Sequence, residues 1–272
     1  MTDYSVLMSV YKKEKAPFLK EAIESMVKQT VKPSDFVLVC DGPLNESLDK
    51  VILDFEKSYP GLFNVIRLEK NGGLAAALNT GIKYCKCDIV ARMDSDDVSR
   101  FDRMEIELEA MEEQKADIVG SNVNEFVGNV SNVVTKRVLP ECDEDIKHFA
   151  KKRNPFNHPT VVFKKQLVEN IGGYPLYDYF EDYALWVTLL SGGAKGYNVM
   201  SELVNMRSDE GMYDRRGGLS YVKCIFNFQK YIRVLGYVGR RESWIQAMAR
   251  AAVSLAPTSL RKKLYQRHLR QK

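Results

Sequence analysis

The first 120 residues alternate between the two hydrophobic periods that distinguish strands from helices. Short apolar runs such as "YSVLMSV" and "DFVLVCD" predict strands that are buried on both faces. Between them, apolar residues recur three and four positions apart; in "APFLKEAIESMVKQ" one helical stripe holds Phe18, Leu19, Ala22, Ile23, Met26 and Val27. Four strand–helix units and a fifth strand, "ADIVGSNVNEFV", predict an α/β fold with a mostly parallel central sheet flanked by helices.

The other elements follow from the same two periods. "NESLDKVILDFEKSY" predicts a second helix with Asn45 as its N-cap. "FNVIRLE" and "CDIVARMD" predict the third and fourth strands, and "GGLAAALNTGIKYC" and "RFDRMEIELEAMEEQ" predict the helices that follow them. Beyond Gly128 the pattern is less regular: "GNVSNVVTKRVLP" predicts a hairpin or an edge strand, "NHPTVVFKK" a strand, "EDYALWVTLLSGG" a helix, and "GYNVMSELVNMR" one or two strands.

The C-terminal part differs from the rest in charge and periodicity. Residues 230–272 carry 11 lysines and arginines against one acid, whereas residues 1–229 carry 29 against 35 acids. From about Gly217 the pattern is helical, with a break near Pro257, so we predict an α/β domain over 1–216 and a basic, amphipathic helical extension over 217–272. Its helix places Trp244, Ile245, Met248, Ala252 and Leu255 on one face. This pattern favours contact with an anionic membrane surface; the alternative is a helix packed on the domain with a solvated cationic face.

Composition and cysteine usage predict where the protein works. An apolar content of 45% and a charged content of 28% are ordinary for a globular protein. The first residues do not form a signal peptide, and no run approaches the roughly 20 apolar residues of a membrane span. The five cysteines form neither a disulfide framework nor a zinc pattern. We therefore expect a cytoplasmic protein, peripheral at the inner face of the cell membrane, and no nucleic-acid partner, because the basic tail lacks a recognisable motif.

Polar residues follow each of the first four predicted strands. They are Ser9 and Tyr11 after the first strand, Asp41 after the second, Lys70 and Asn71 after the third, and Asp94, Asp96 and Asp97 after the fourth. In an open parallel sheet, ligands bind at the carboxyl ends of the strands. The recurrence at four strand ends predicts a binding site there.

The acid cluster in "ARMDSDDVSR" has two interpretations. Asp97 or Ser99 as the N-cap of the next helix would explain one or two of the acids. It does not explain Asp94, which should end the fourth strand. Two carboxylates separated by one residue can share a divalent cation such as Mn²⁺ or Mg²⁺ and leave ligand positions for phosphate oxygens. We expect the cation site.

Two further segments carry candidate chemistry. In "NGGLAAALNTGI", small residues predict close packing of a helix on the sheet, and the N–H groups of Gly72 and Gly73 are also candidates to face a diphosphate. "YFEDYALW" places Glu181 and Asp182 at the start of an apolar helix, either to complement the helix dipole or to supply a general base. The neighbouring aromatic residues Tyr177, Tyr179, Phe180 and Trp186 suggest stacking on a sugar, and His158 is a candidate ligand or acceptor residue.

With strand-end Asp41, "KNGGLAAALNTGI", "ARMDSDD" and "EDYALW" in this order, residues 4–215 resemble a family 2 glycosyltransferase of the GT-A fold. "HPTVVFKK", "IGGY", "YDRRGG" and the basic ending resemble bacterial members that build exopolysaccharide, capsule or O-antigen. The resemblance implies an inverting transfer of a hexose from a UDP-sugar to a saccharide or lipid-linked acceptor. The alternatives are a sugar nucleotidyltransferase, although its glycine-rich loop after the first strand is missing, and a non-catalytic carbohydrate-binding relative.

The resemblance also implies roles for individual residues. Asp182 matches the catalytic base, Asp96 the metal ligand, and Asp94 the acid that faces the ribose and the metal. The residues expected at the nucleotide-sugar are Tyr11 and Asp41 at the uracil, Asn71 and Gly73 in the nucleotide-side loop, and Ser9, Lys70 and Arg92 nearby. The residues expected on the acceptor or diphosphate side are His158, Glu181, Trp186, Arg215 and Arg216. Many relatives carry a histidine shortly after an arginine near the end of this domain, where "NMRSDEGMYDRRGG" has none, so Asp209 or Arg215–Arg216 is expected to substitute.

Overall fold

A computed structural model of the chain describes residues 2–208, 217–257 and 261. The strands in these ranges are β1 (Tyr4–Val10), β2 (Asp35–Cys40), β3 (Phe63–Arg67), β4 (Ile89–Asp94), β5 (Val98–Ser99), β6 (Ile118–Phe126), β7 (Val133–Arg137), β8 (Val162–Lys164) and β9 (Gly196–Arg207). The helices are α1 (Ala16–Val27), α2 (Glu46–Ser58), α3 (Leu74–Ile82), α4 (Arg103–Glu113), α5 (Asp143–Phe149), α6 (Lys165–Asn170), α7 (Glu181–Ser191), α8 (Gly218–Val234) and α9 (Arg240–Leu255).

All of these strands belong to one sheet, in the order β3-β2-β1-β4-β8-β6-β9-β5, with β7 paired to β6. β1 to β4 are mutually parallel, and β6 and β9 form a second parallel pair. The short strand β8 joins the two parallel groups by antiparallel pairing to β4 and β6. The predicted α/β architecture is therefore confirmed; the sheet is mixed, with its four longest pairings parallel and its four short pairings antiparallel.

Helices cover both faces of the sheet, because successive strand residues point to opposite sides. In β2, Val37 and Val39 face an apolar cluster formed with α3, α7 and α8, whereas Phe36, Leu38 and Cys40 face a second cluster formed with α1, α2 and α4. Gly81 shows how closely α3 lies on the sheet: a Cβ there would come within 2.5 Å of Leu7 and 2.8 Å of Val39. The predicted packing role of the small residues in this helix is confirmed.

Local signals placed most elements correctly, including the cap of α2, where the Asn45 side chain accepts a hydrogen bond from the Leu48 N–H at 3.0 Å. The hairpin after Gly128 is β6–β7, and "GYNVMSELVNMR" is the single strand β9. The short elements β5, α5 and α6 were not predicted. The division between residues 1–216 and 217–272 stays a prediction; α8 packs its buried side into the same cluster as α7.

Candidate active site

The topological switch point of the sheet lies at the carboxyl ends of β1 and β4, since β2 and β3 lie on one side of β1 and β4 on the other. The register aligns Ser9 with Asp94, and Val10, Cys40 and Arg67 with one another. The loops that follow these residues therefore open at one edge. Tyr11 in the first loop is 43% exposed, and the Lys70 side chain is exposed in the third.

Asp41 ties two of these loops together. One carboxylate oxygen accepts the Gly72 N–H at 2.7 Å, and the other accepts the Asn71 Nδ2 at 2.8 Å and the Gly73 N–H at 3.1 Å. Gly42 permits this approach, because a Cβ there would lie 2.7 Å from the Asn71 nitrogen. The expectation that the N–H groups of Gly72 and Gly73 face a diphosphate is wrong in this arrangement, since both donate to Asp41.

The acid cluster occupies the end of β4 and the turn after it. Asp94 is the last residue of β4, as predicted, and its Oδ1 lies 2.5 Å from the Arg92 Nη2. Asp97 is buried: its Oδ1 accepts the Arg207 N–H at 2.7 Å, and its Oδ2 has no hydrogen-bond partner among the described residues. The helix-cap interpretation is wrong, because α4 starts after Asp102, and Ser99 lies in β5.

Electrostatics make this cluster unfavourable when it is empty and fully ionised. Burial, then the charges of Asp94 and Glu14, raise the pKa of Asp96 to about 7. Burial and the charges of Asp96 and Asp94 raise the pKa of Asp97 well above its ordinary value. The charge of Arg92 lowers the pKa of both groups, but by less than burial and the neighbouring acids raise it. A cation bound beside these carboxylates would favour their charged forms.

Arg92 pairs with Asp94, and its charge also acts on groups near the start of α7. Its side chain is 1% exposed, and two of its nitrogens, Nε and Nη1, have no hydrogen-bond partner among the described residues. Burial and then the charge of Asp182 raise the pKa of Glu181 to about 7, while Arg92 lowers it. Burial, followed by the charge of Arg92, also holds the pKa of His158 well below its ordinary value. The guanidinium therefore lies within electrostatic reach of both groups of acids.

Asp182 lies in the first turn of α7 and is half-buried. Its Oδ2 accepts a hydrogen bond from the Asn154 Nδ2 at 2.6 Å, and its Oδ1 accepts the Tyr183 N–H at 2.7 Å. Both contacts restrain the carboxylate, and a restrained carboxylate can act as a general base.

The aromatic residues near α7 are mostly packed in the core. Trp186 is fully buried and contacts the rings of His158 and Tyr174, so the expectation that it contacts an acceptor is wrong. Phe180 is buried and stacks on Phe228 with ring centroids 4.7 Å apart, and it does not offer a face to a sugar. His158 is also buried, and its Nε2 lies 3.1 Å from the Tyr174 hydroxyl. Tyr179 remains half exposed.

Three residues of the site were not identified from the sequence. Arg207 binds the acid turn through its N–H to Asp97 and its Nε to the Asp96 carbonyl at 3.0 Å. Asn154 orients Asp182, and Tyr174 contacts His158. Tyr174 lies in "IGGY", which carried part of the family resemblance, and Arg207 is the arginine of "NMRSD", so both had a signal in the sequence. Asp209, Arg215 and Arg216 lie outside the described residues.

The carboxylates at the acid turn would fit a divalent cation. Within the described ranges, three or more His, Cys, Asp or Glu side chains do not converge as a complete metal site. Asp94 and Asp96 nevertheless supply the hard carboxylate oxygens that Mn²⁺ and Mg²⁺ prefer, and the raised pKa of Asp96 means that a nearby cation would favour its charged form.

The chain thus combines a sheet with an open topological switch point and an acid turn at the end of β4. The model of the family "Glycosyl transferase family 2" matches residues 5–172, and the chain belongs to that family. It is 40% identical over 268 residues to an uncharacterized glycosyltransferase of Haemophilus influenzae, covering 98% of this chain and 99% of the relative. It is 37% identical to the UDP-Gal:alpha-D-GlcNAc-diphosphoundecaprenol beta-1,3-galactosyltransferase of Escherichia coli, covering 98% and 96%. The protein is a glycosyltransferase.

Other comparisons agree on the family and the fold. The chain is 34% identical to the amylovoran biosynthesis glycosyltransferase AmsE of Erwinia amylovora, covering 97% and 98% of the two chains. Staphylococcus aureus TarS 1-349 in complex with UDP-GlcNAc superposes with a TM-score of 0.66 at 17% identity, over 85% of this chain and 66% of that one. The mannosyltransferase PcManGT of Pyrobaculum calidifontis, solved with GDP-Man and Mn²⁺, superposes with a TM-score of 0.63 at 15% identity, over 96% and 78%. The fold is GT-A, as expected.

Proposed function

We propose that the protein transfers a hexose from a UDP-sugar to a lipid-linked saccharide during the synthesis of a cell-surface polysaccharide, with inversion at the anomeric carbon. The observation that carries this proposal is the acid turn at the carboxyl end of β4, where Asp94 pairs with Arg92 at 2.5 Å and Arg207 holds the Asp96 carbonyl at 3.0 Å. In this proposal the diphosphate lies at the acid turn and the acceptor lies at Asp182, on two sides of one sugar. The full-length similarity to a UDP-Gal-dependent relative supports the donor class.

The strand ends supply the nucleotide subsite in this proposal. The exposed ring of Tyr11 stacks on the uracil. The Asp41 carboxylate accepts three hydrogen bonds from the 71–73 loop. A carboxylate can accept about four hydrogen bonds, so one position remains for a uracil N–H. Ser9 and Lys70 flank this subsite, and Asn71 and Gly73 shape its wall. Asp94 faces the ribose and, with Asp96, the diphosphate.

The acid turn would hold Mn²⁺ or Mg²⁺ through Asp96 and Asp94. When bound, such a cation neutralises charge on the departing diphosphate. Arg92, paired with Asp94, adds a fixed positive charge on the sugar side of the turn. Arg207 keeps the turn in place through the Asp96 carbonyl and Asp97.

Asp182 acts as the general base. Its carboxylate takes the proton of the acceptor hydroxyl while that oxygen forms a bond to the anomeric carbon. The bond from this carbon to the diphosphate oxygen breaks on the opposite face, and UDP leaves with the electron pair. Asn154 holds the carboxylate in position. General-base assistance of this kind contributes about 10²–10⁴-fold.

A donor panel tests the proposal. Purified protein is incubated with UDP-Gal, UDP-Glc, UDP-GlcNAc or GDP-mannose, with Mn²⁺ or Mg²⁺, and with a synthetic GlcNAc α-diphosphate that carries a decyl chain. We expect one UDP-sugar to give a β-linked disaccharide product by mass spectrometry and NMR. Transfer from GDP-mannose alone would contradict the donor class, and an α-linked product would contradict inversion.

We further propose that α9 brings the enzyme to the membrane where a lipid-linked acceptor resides. Its buried residues are small, such as Ala247 and Ala251, whereas Trp244, Ile245 and Met248 are 58%, 70% and 57% exposed. An exposed apolar face on a basic helix matches an anionic bilayer surface. Among the residues that the structure describes, no helix has the length and apolar character needed to cross a bilayer.

Co-sedimentation with anionic vesicles tests the membrane proposal. We expect the intact protein to bind, and both the Trp244→Ser/Met248→Ser variant and a chain truncated before Thr258 to bind less. Neutral vesicles serve as the control for the cationic tail, since each basic residue contributes about 1 kcal/mol near an anionic surface. Equal binding of all three proteins would contradict a role of this face and of the tail.

A further inference from the structure

A groove lies between the loop that precedes α7 and the outer side of α8. Its volume is about 430 Å³, and its lining includes Leu176, Tyr177, Asp178, Asn227, Lys230 and Val234. This volume falls within the range of small-molecule binding sites, roughly 300–1,000 Å³. None of these residues belongs to the nucleotide or catalytic groups described above.

One end of the groove lies near the start of α7, since the lining residue Asp178 precedes Glu181 and Asp182 by three and four positions. Near the start of α8, Tyr221 contacts Phe180 with ring centroids 5.7 Å apart, and Phe180 directly precedes Glu181 and Asp182. Further along α8, the Tyr231 hydroxyl lies 2.5 Å from the Thr188 Oγ1, two turns into α7. From Tyr221 to Lys230 the helix rises by roughly 13 Å, about the combined length of a hexose and a diphosphate.

The chemistry of the lining changes along this direction. Asp178 lies at the near end, since its charge acts on both Glu181 and Cys224. Lys230 comes later on α8, and neither Lys230 nor Asp178 forms an ion pair with another described residue. Leu176 and Val234 line the groove although they are 75% and 73% exposed. Along the groove, the lining thus offers first the Asp178 carboxylate, then the Lys230 ammonium, and finally the apolar side chains of Leu176 and Val234.

We propose that this groove binds the diphosphate and the first isoprenoid units of a polyprenyl-diphosphate-linked acceptor, an inference that rests on the proposed function. The acceptor sugar lies between Asp182 and Asp178. The Asp178 carboxylate accepts hydrogen bonds from the sugar hydroxyls and repels the diphosphate. The diphosphate lies at Lys230, and the prenyl chain covers Leu176 and Val234.

Binding of decyl diphosphate tests the groove without any catalysis. Calorimetry is done with UDP and Mn²⁺ at saturation, so that the donor site is filled. We expect Lys230→Glu to weaken binding by about tenfold or more, because a charge-assisted contact is replaced by repulsion. Lys50→Glu on α2 is the matched control, since this exposed lysine lies on the opposite face of the sheet. Equal affinities of the wild type and Lys230→Glu would overturn the proposal.

A kinetic comparison separates the diphosphate contact from general damage. With decyl GlcNAc diphosphate as acceptor, Lys230→Glu and Val234→Asp should raise the acceptor KM by about tenfold, with the KM for the donor unchanged. With decyl GlcNAc glycoside, which lacks the diphosphate, Lys230→Glu should change the KM by less than about threefold. Equal losses on both acceptors would overturn the assignment of Lys230 to the diphosphate.

The two experiments also separate this inference from the proposed function. If the wild type transfers no sugar but binds decyl diphosphate through Lys230, the groove stands and the proposed reaction fails. If the wild type transfers sugar to both acceptors and Lys230→Glu has no effect in either assay, the reaction stands and the groove fails.

Discussion

Replacing Asp96 by Asn should stabilise the protein in the absence of divalent cations and UDP, although it removes a residue that we place at the diphosphate. Asp96 has a pKa of about 7 in the folded chain against an ordinary value of 3.8. A folded-state pKa above the unfolded one means that the group favours folding while protonated. This contribution is present below about pH 4 and is lost as the pH rises to about 7. Above pH 7 the ionised carboxylate therefore destabilises the native state.

The size of the effect follows from the shift. About three pKa units at 1.36 kcal/mol each set an upper limit of about 4 kcal/mol at pH 8. Because the side chain is partly exposed, water reduces both the cost of burying the charge and the repulsion from Asp94 and Glu14, and we expect about 1–3 kcal/mol. For a chain of this size, each kcal/mol corresponds to about 2–4 °C in Tm. The variant should thus melt several degrees higher than the wild type at pH 8, and at nearly the same temperature at pH 4.

The assay is thermal unfolding from pH 4 to 8 without divalent cations. Asp102→Asn is a control with the opposite sign, since the side-chain hydrogen bond from Arg100 lowers the pKa of Asp102, and its loss should lower Tm at neutral pH. Added Mn²⁺ with UDP should raise the Tm of the wild type more than that of Asp96→Asn. A variant that melts lower than the wild type at pH 8 would refute the electrostatic reasoning.

Two further substitutions test the supports of the site. Asn154→Ala removes the amide that donates a hydrogen bond to Asp182 at 2.6 Å. In steady-state transfer assays it should lower kcat about tenfold with little change in the KM for the UDP-sugar. An unchanged kcat would contradict the positioning role. Arg92→Lys loses the buried guanidinium geometry at Asp94 and should weaken Mn²⁺-dependent UDP binding in calorimetry by about tenfold; affinity equal to that of the wild type would remove Arg92 from the donor site.

The sequence predicted what local patterns determine. The cap of α2 at Asn45 and the position of Asp94 at the end of β4 depend on a few neighbouring residues, and both are confirmed. β5 is only two residues long and exists through its pairing with β9, so no local signal specifies it. The hydrogen bond from the Arg207 N–H to Asp97 joins residues 110 positions apart, so a local sequence pattern cannot predict it either.

One error had a signal that could have corrected it. The segment "YALWVTLL" in α7 is apolar on all sides, which is typical of a buried helix. Trp186 in its middle was therefore better assigned to the core than to a sugar. The contacts of Asp41 illustrate a different limit: the sequence placed Asp41 and Asn71 at neighbouring strand ends, but the hydrogen bonds between them depend on the backbone of the intervening loops.

The rate of Asp182→Asn compared with the wild type tests the central claim most directly. Transfer is measured with the preferred UDP-sugar and decyl GlcNAc diphosphate, and donor affinity is measured separately by calorimetry. The amide keeps the shape of the side chain but cannot accept the proton, so kcat should fall by about 10²–10⁴-fold while the donor affinity stays unchanged. Turnover close to that of the wild type would contradict the assignment of Asp182 as the base and the mechanism built on it.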